Sequence, residues 1–181
     1  LGSSGGADGS DPTWAAGIDG TALSFDGVDD YVDCGDLGHL GTAYSVSLWA
    51  RADALTGTGR FFTYQTSDQS TTYHKAITLY QENSDIICKV RDDALNMASV
   101  TVVSELDDQW THVVGVRDGD DLHLYVDGNI AGSDQATFGS ILMNRAGIGA
   151  GYDDANNWWS SFFHGRVDEV SVWDRALSPS E

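Results

Sequence analysis

From Thr21 onward, apolar residues alternate with polar ones or gather in short β-branched runs broken by Gly and Asp, and no long stretch keeps a 3.6-residue apolar period. The alternation predicts strands over residues 22–25, 31–34, 44–51, 61–65, 76–81, 86–91, 100–104, 111–117, 122–127, 146–149 and 165–173. Strands this short and this numerous imply an all-β fold, a two-sheet antiparallel β-sandwich or jelly roll.

The clearest local signal is Trp110 to Arg117, then Asp118-Gly119-Asp120-Asp121, then Leu122 to Gly128. Asp-Gly tolerates the positive φ of tight hairpin loops, so two antiparallel strands are expected here, and a second Asp-Gly at Asp127-Gly128 turns the chain out again. Leu122, Leu124 and Val126 then share one face, with His123, Tyr125 and Asp127 on the other. The longest turn-rich stretch between strands, residues 151–161, carries Tyr152, Asp153, Asp154, Asn156, Asn157, Trp158 and Trp159.

At 181 residues the chain suits one domain. Residues 1–20, rich in Gly, Ser and Asp, read as a linker or N-terminal extension, with the domain over 21–181. The start shows neither an initiator Met nor the apolar core of a signal peptide. A formal net charge of -19, from 28 acidic and 9 basic residues, makes nucleic acid and anionic membrane poor partners. No apolar run is long enough for membrane insertion as a helix. An Asp excess is compatible with Asp-Gly turns, calcium ligation or a saline habitat, and composition does not choose among them. Cys34 and Cys88 suit either one disulfide or two thiols.

The order of segments resembles the laminin-G-like, concanavalin A-like jelly-roll domains of bacterial and archaeal secreted proteins. Five motifs carry the likeness: Ala22 to Val32 with its Asp26-Gly27-Val28-Asp29-Asp30 turn, Tyr44 to Trp49, Trp110 to Val114, Leu124 to Gly128, and Phe163 to Val170 followed by Trp173 to Ser178. The resemblance implies an extracellular, secreted or cell-surface setting, often inside a longer chain. It does not choose a function, since the superfamily holds lectins, carbohydrate-binding modules, adhesin and filament domains, glycoside hydrolases and polysaccharide lyases.

In the resembled family the first and last strands are sheet neighbours, which implies that Asp168 faces the Asp26–Asp30 turn. Asp26, Gly27, Asp29 and Asp168 are then the expected metal ligands, and Ca2+, which takes six to eight hard oxygens, is the expected cofactor. A solvated hairpin turn capped by Asp168 explains the same residues without metal. Zinc is a poor reading, because His39, His74, His112, His123 and His164 are scattered without paired spacing. Asp168 and Glu169 are adjacent and point to opposite faces, so they do not form a glycosidase pair.

Strand alternation turns Arg51, Lys89, Arg91, His123, Tyr80 and Tyr125 away from the core, and on one concave face they would suit an acidic sugar. Three function classes follow. The first is a non-catalytic module recognising a polysaccharide or glycan through Tyr152, Asp153, Asn156, Asn157, Trp158 and Trp159, since aromatic rings stack on pyranose faces while amides and carboxylates fix hydroxyls. The second is a lyase on uronic-acid polysaccharide with His74 or Tyr80 as base and Arg91 as neutraliser. The third is a calcium-stiffened adhesin or filament protein that self-associates or joins other domains.

Overall fold

The computed structural model describes residues 11–66, 76–103, 106, 108–139, 141, 143–153 and 158–181. Over these residues the alternating runs become β1 (Thr13–Ala16), β2 (Thr21–Asp26), β3 (Val32–Gly35), β4 (Ala43–Ala52), β5 (Thr58–Gln65), β6 (Ala76–Glu82), β7 (Asp85–Arg91), β8 (Met97–Val103), β9 (Thr111–Asp118), β10 (Asp121–Val126), β11 (Asn129–Gln135), β12 (Arg145–Ile148), β13 (Gly151–Asp153), β14 (Trp158–Ser160) and β15 (His164–Trp173). They form a seven-stranded sheet in the order β1-β2-β15-β4-β9-β10-β11 and a six-stranded sheet in the order β3-β12-β5-β6-β7-β8. The pairings recorded between strands are antiparallel, and β13 with β14 makes a separate ribbon.

Period-2 alternation decides what each strand buries. Val46, Leu48 and Ala50 of β4, Val113 of β9 and Leu122 and Leu124 of β10 meet Phe62, Tyr64, Ile77, Leu79, Ile86, Cys88 and Val90 of the other sheet, all essentially inaccessible to water. Gly115 sits where the two layers approach closely, since a Cβ there would lie 2.8 Å from Cys88 Sγ and 3.1 Å from Leu79 Cδ2. The expected hairpin is present as β9 and β10, turning through Gly119 at φ 64°, and Asp127 and Gly128 take φ of 49° and 75°.

Three elements depart from the expectation. Residues 13–20, read as extension, supply β1 and the turn that follows it, because Thr13–Ala16 pairs with the outer edge of β2. β11 was not expected from Asn-Ile-Ala-Gly-Ser-Asp-Gln, a poor strand sequence; its pairing with β10 overrides propensity. The 151–161 stretch contains strands at both ends, Gly151 pairing with Ser160 and Asp153 with Trp158.

Both cysteines are free thiols. β3 and β7 stand four strand spacings apart, about 19 Å, far beyond disulfide reach. Complete burial pushes the Cys88 thiol up to about 12, so it behaves as a core residue.

Gly115→Val should therefore lower stability by about 1–3 kcal/mol through overpacking between the sheets. Urea unfolding monitored by tryptophan fluorescence checks this, and an unchanged midpoint would refute the close contact.

Candidate functional site

The outward positions of the six-stranded sheet fall into rows. Arg60 pairs with Tyr80 and Tyr80 with Ile87; Thr63 pairs with Thr78 and Thr78 with Lys89; Gln65 pairs with Ala76 and Ala76 with Arg91. On the far side of β5, Gln65 faces Arg145 and Thr63 faces Gly147. Thr63, Thr78 and Ile87 are buried although they point away from the core, so this face is overlaid by other parts of the chain.

One part of that cover is the β13–β14 ribbon. The Gln65 side-chain amide donates to the Tyr152 carbonyl, and the Arg60 amide donates to the Ser161 carbonyl at 3.0 Å. Gly147 lies beneath the Trp159 ring and Gly151 against the Arg60 side chain; a Cβ at either glycine would collide with that neighbour. Trp159 stacks on Tyr31 at 4.6 Å and meets Tyr152 edge-on at 5.5 Å. The Arg145 guanidinium lies 4.1 Å from the Tyr152 ring centroid and 5.3 Å from that of Trp159, contacts that favour a cation over an aromatic face. Its other end pairs with Asp33 at 2.7 Å.

The expected ligand residues thus divide by role. Tyr152 is buried and Trp159 half-buried, so both build the wall, while Trp158 is 59% exposed. Asp153 closes β13 opposite Trp158, and Asn156 and Asn157 lie outside the described residues.

The six side chains expected to gather on one face are split. Tyr80, Lys89 and Arg91 occupy the outer face of the six-stranded sheet, whereas Arg51, His123 and Tyr125 lie on the opposite outer face of the molecule. Alternation fixes in or out for each strand, but both sheets have an outside. Tyr80 and Arg91 share their face, yet Arg91 pairs with Ala76, four residues or about 13 Å along β6 from Tyr80. Burial, followed by the Glu82 charge, holds the Tyr80 phenol above its ordinary value, which works against its acting as a base. His74 lies outside the described residues. Arg60 and Arg145 escaped the sequence reading because the strands over 61–65 and 146–149 were started too late to include them.

The acidic ends meet differently from the expectation. β2 and β15 are neighbours, as the resemblance implied, but the register sets His164 opposite Asp26. Asp168 therefore lies four residues, about 13 Å, along the strand from the Asp26 turn. Its carboxylate accepts from the amides of Ile18 at 2.9 Å, Asp19 at 3.4 Å and Glu169 at 3.0 Å. A bulge produces this aim: Glu169 and Val170 together oppose the single residue Leu48, and Glu169 takes a φ of 49°. The carboxylates that do converge are Asp26, Asp29 and Asp30, with oxygens all within 4.8 Å of one another. Asp30 is nearly buried; burial and the charges of Asp26 and Asp29 hold its carboxyl above the ordinary range, against the Asp26 amide, which donates to it at 2.8 Å. Gly27 turns the chain at φ 78° and fits closely against His164.

A cavity of about 460 Å³ lies on the other outer face, over Ser47, His112, Tyr125 and Trp173 and beneath residues 175–181. Within it His112 Nε2 stands 3.0 Å from Ser47 Oγ. Burial keeps the imidazole below its ordinary value. Tyr125 and Trp173 give the cavity aromatic lining, and the Arg175 guanidinium at its edge is paired with Glu181 at 2.6 Å.

The division of the two tryptophans is testable. Trp159→Ala should cost about 2–4 kcal/mol, as removal of a packed aromatic does, whereas Trp158→Ala should stay within about 0.5 kcal/mol. Equal losses in thermal or urea unfolding would contradict the assignment of wall and rim.

Similar architectures occur in solved structures. The botulinum neurotoxin serotype G binding domain superposes with a TM-score of 0.69 at 11% identity, over 93% of this chain and 44% of that one, so the chain spans less than half of that neighbour's length. Domain 4 of AbnA, a GH43 extracellular arabinanase from Geobacillus stearothermophilus, in complex with arabinotriose, gives 0.63 at 20% identity, over 93% and 78% of the two chains. The CBM40 of the Ruminococcus gnavus IT-sialidase bound to α2,3-sialyllactose gives 0.66 at 12% identity, over 77% and 79%. These identities speak for the fold alone. No curated protein matches the sequence. The sequence model described as the Concanavalin A-like lectin/glucanases superfamily matches residues 26–181, and on that match, covering most of its length, the chain belongs to this superfamily.

Proposed function

We propose that this chain is a secreted or cell-surface carbohydrate-recognition module, non-catalytic, whose glycan lies on the outer face of the six-stranded sheet beside the β13–β14 ribbon. The observation that carries the reading is that one face combines a packed aromatic wall with the partly exposed side chains of Tyr80 and Lys89. Aromatic surface with a few placed polar groups is what a saccharide site requires. Two neighbours of the same fold support it by what they hold, arabinotriose in one and α2,3-sialyllactose in the other.

Recognition is preferred to lyase chemistry because the Tyr80 phenol is pushed towards its protonated form and stands apart from Arg91 along the sheet. Glycan arrays followed by titration calorimetry test the reading. Tyr80→Ala should weaken the ligand by about tenfold, the usual cost of losing a stacking and hydrogen-bonding ring at a contact centre. Retention of no glycan would sink the proposal, as would full affinity in the variant.

Calcium is proposed as a structural ion at Asp26, Asp29 and Asp30, stapling the β2 turn beside β15. The all-oxygen donor set suits a hard cation, and a divalent charge would offset the burial and the neighbouring carboxylates that raise the Asp30 carboxyl. Asp168, committed to the amides of the Ile18 turn, is left out of this set. The sign of the pH effect follows. A folded-state pKa above the ordinary 3.8 contributes stability at pH below 3.8 and loses it as pH rises through the folded value. Without calcium, Asp30→Asn should accordingly stabilise the protein at neutral pH. With millimolar calcium, the wild type should gain about 2–4 °C in unfolding midpoint per kcal/mol of binding linkage, and Asp30→Asn should lose that gain. A wild-type midpoint indifferent to calcium and to chelator would exclude the ion.

A further inference from the structure

On the outer face of the seven-stranded sheet, the register sets Ser47 of β4 beside Val114 of β9 and Val114 beside Tyr125 of β10, while Trp173 of β15 lies next to Ser45 of β4. Trp173 and Tyr125 thus stand three strand spacings apart, about 14 Å, with Ser47 and Val114 on the floor between them. Residues 175–181 roof this floor and leave the cavity of about 460 Å³. Val116 shows the cover, since it points away from the core and is still only 3% exposed. The roof is tied down: Ser45 Oγ donates to the Arg175 carbonyl at 3.0 Å and accepts from the Leu177 amide at 2.9 Å. It is also closed on itself, because the Arg175 guanidinium donates to both Glu181 carboxylate oxygens, at 2.6 and 3.0 Å.

A cavity of this volume is the size of a small-molecule site. Tyr125, Trp173, Val114 and Leu177 supply apolar surface on its flanks, floor and roof. The polar handles are few. Ser47 Oγ and His112 Nε2 share one hydrogen bond at 3.0 Å, which leaves the hydroxyl able to make another with a guest. Among the described residues, neither the Tyr125 phenol nor the Trp173 indole N–H is bonded to the protein. The lining also carries no net charge: Arg175 and Glu181 cancel, and burial, against the Asp127 charge, keeps the His112 imidazole below its ordinary value and so neutral at pH 7. A saccharide would bring more hydroxyls than these handles can satisfy, and each one left unpaired against apolar surface is costly. An anion would meet the field of a chain of net charge -19 and find no unpaired cation in the lining.

We infer that this cavity is a second ligand site, apart from the glycan face, for a neutral aromatic molecule of one or two rings that carries a hydroxyl or carbonyl group. The ring lies over Val114 between Trp173 and Tyr125, and its polar group meets the Ser47–His112 pair. Because the roof is already bonded to Ser45 and to itself, little order remains to be imposed when the guest enters. The inference is independent of the carbohydrate reading, since it concerns the opposite sheet.

Calorimetry and amide NMR on the whole chain test the inference, with naphthol as the neutral probe, naphthoate as its anionic counterpart and maltose as a saccharide. Naphthol should bind with a Kd of about 1 mM or tighter, a modest demand on a ligand of its size, and should shift the amides of Ser47, His112, Val114 and Tyr125. Naphthoate should bind about tenfold or more weakly, and maltose should leave those amides unmoved. Val114→Trp, which fills the cavity from its floor, should weaken naphthol about tenfold or more, and Ser47→Ala about threefold, as loss of one hydrogen bond does. No naphthol binding up to its solubility limit, shifts centred elsewhere, or naphthoate bound as tightly would overturn the inference and leave the glycan face untouched. Shifts of the same amides with protein concentration alone would also overturn it, by making the cavity a contact between copies of the chain. Maltose seated on these residues would overturn both this inference and the placement of the glycan. The comparison of probes on the wild type decides the matter even where Val114→Trp fails to fold.

Discussion

The insertion of β15 between β2 and β4 is the constraint on which the molecule depends. A strand near the end of the chain lies within the seven-stranded sheet, so β1 and β2 join the remaining strands only through it. The chain must therefore bring residues more than a hundred apart into register before that sheet exists, an ordering that favours slow, cooperative folding. The bulge after Asp168 is the local device that accommodates the insertion: it keeps Val167 and Val172 on the core side and turns the Asp168 carboxylate onto the amides of Ile18 and Asp19. The N-terminal segment is thus held by the strand that holds the sheet.

Much of this was legible in the sequence because period-2 alternation reports burial directly. Strands with strong β-branched and aromatic content, such as Tyr44 to Arg51 and Ile86 to Arg91, fall within the observed β4 and β7. What alternation does not encode is which sheet a strand joins, and so Arg51, His123 and Tyr125 part company with Tyr80, Lys89 and Arg91. The elements that escaped are those whose stability comes from pairing. Thr13–Ala16 is an edge strand of only four residues, and Asn129–Gln135 is an edge strand with little apolar content to announce it. The Asp26 turn was visible as an acidic turn, but its partners required the register of β15; three local carboxylates converge where a distant one had been expected.

The candidate face unites features that are unremarkable one by one. Trp159 and Tyr152 are packed, not displayed, and owe their position to the glycines beneath the ribbon; Arg145 fills the space between their rings and Asp33. The floor beside them carries Lys89 and Arg91 on β7 next to Tyr80 of β6. Rigidity of the wall favours recognition, since a preorganised site loses little on binding.

The central claim is that ligand binding uses the outer face of the six-stranded sheet. Amide and side-chain NMR shifts recorded during titration with the best-retained oligosaccharide test it most directly. The account predicts perturbations centred on Tyr80, Lys89 and Arg91, with the Tyr152–Trp159 ribbon following. Perturbations centred instead on Ser47, His112 and Tyr125, in the cavity of the opposite sheet, would contradict it.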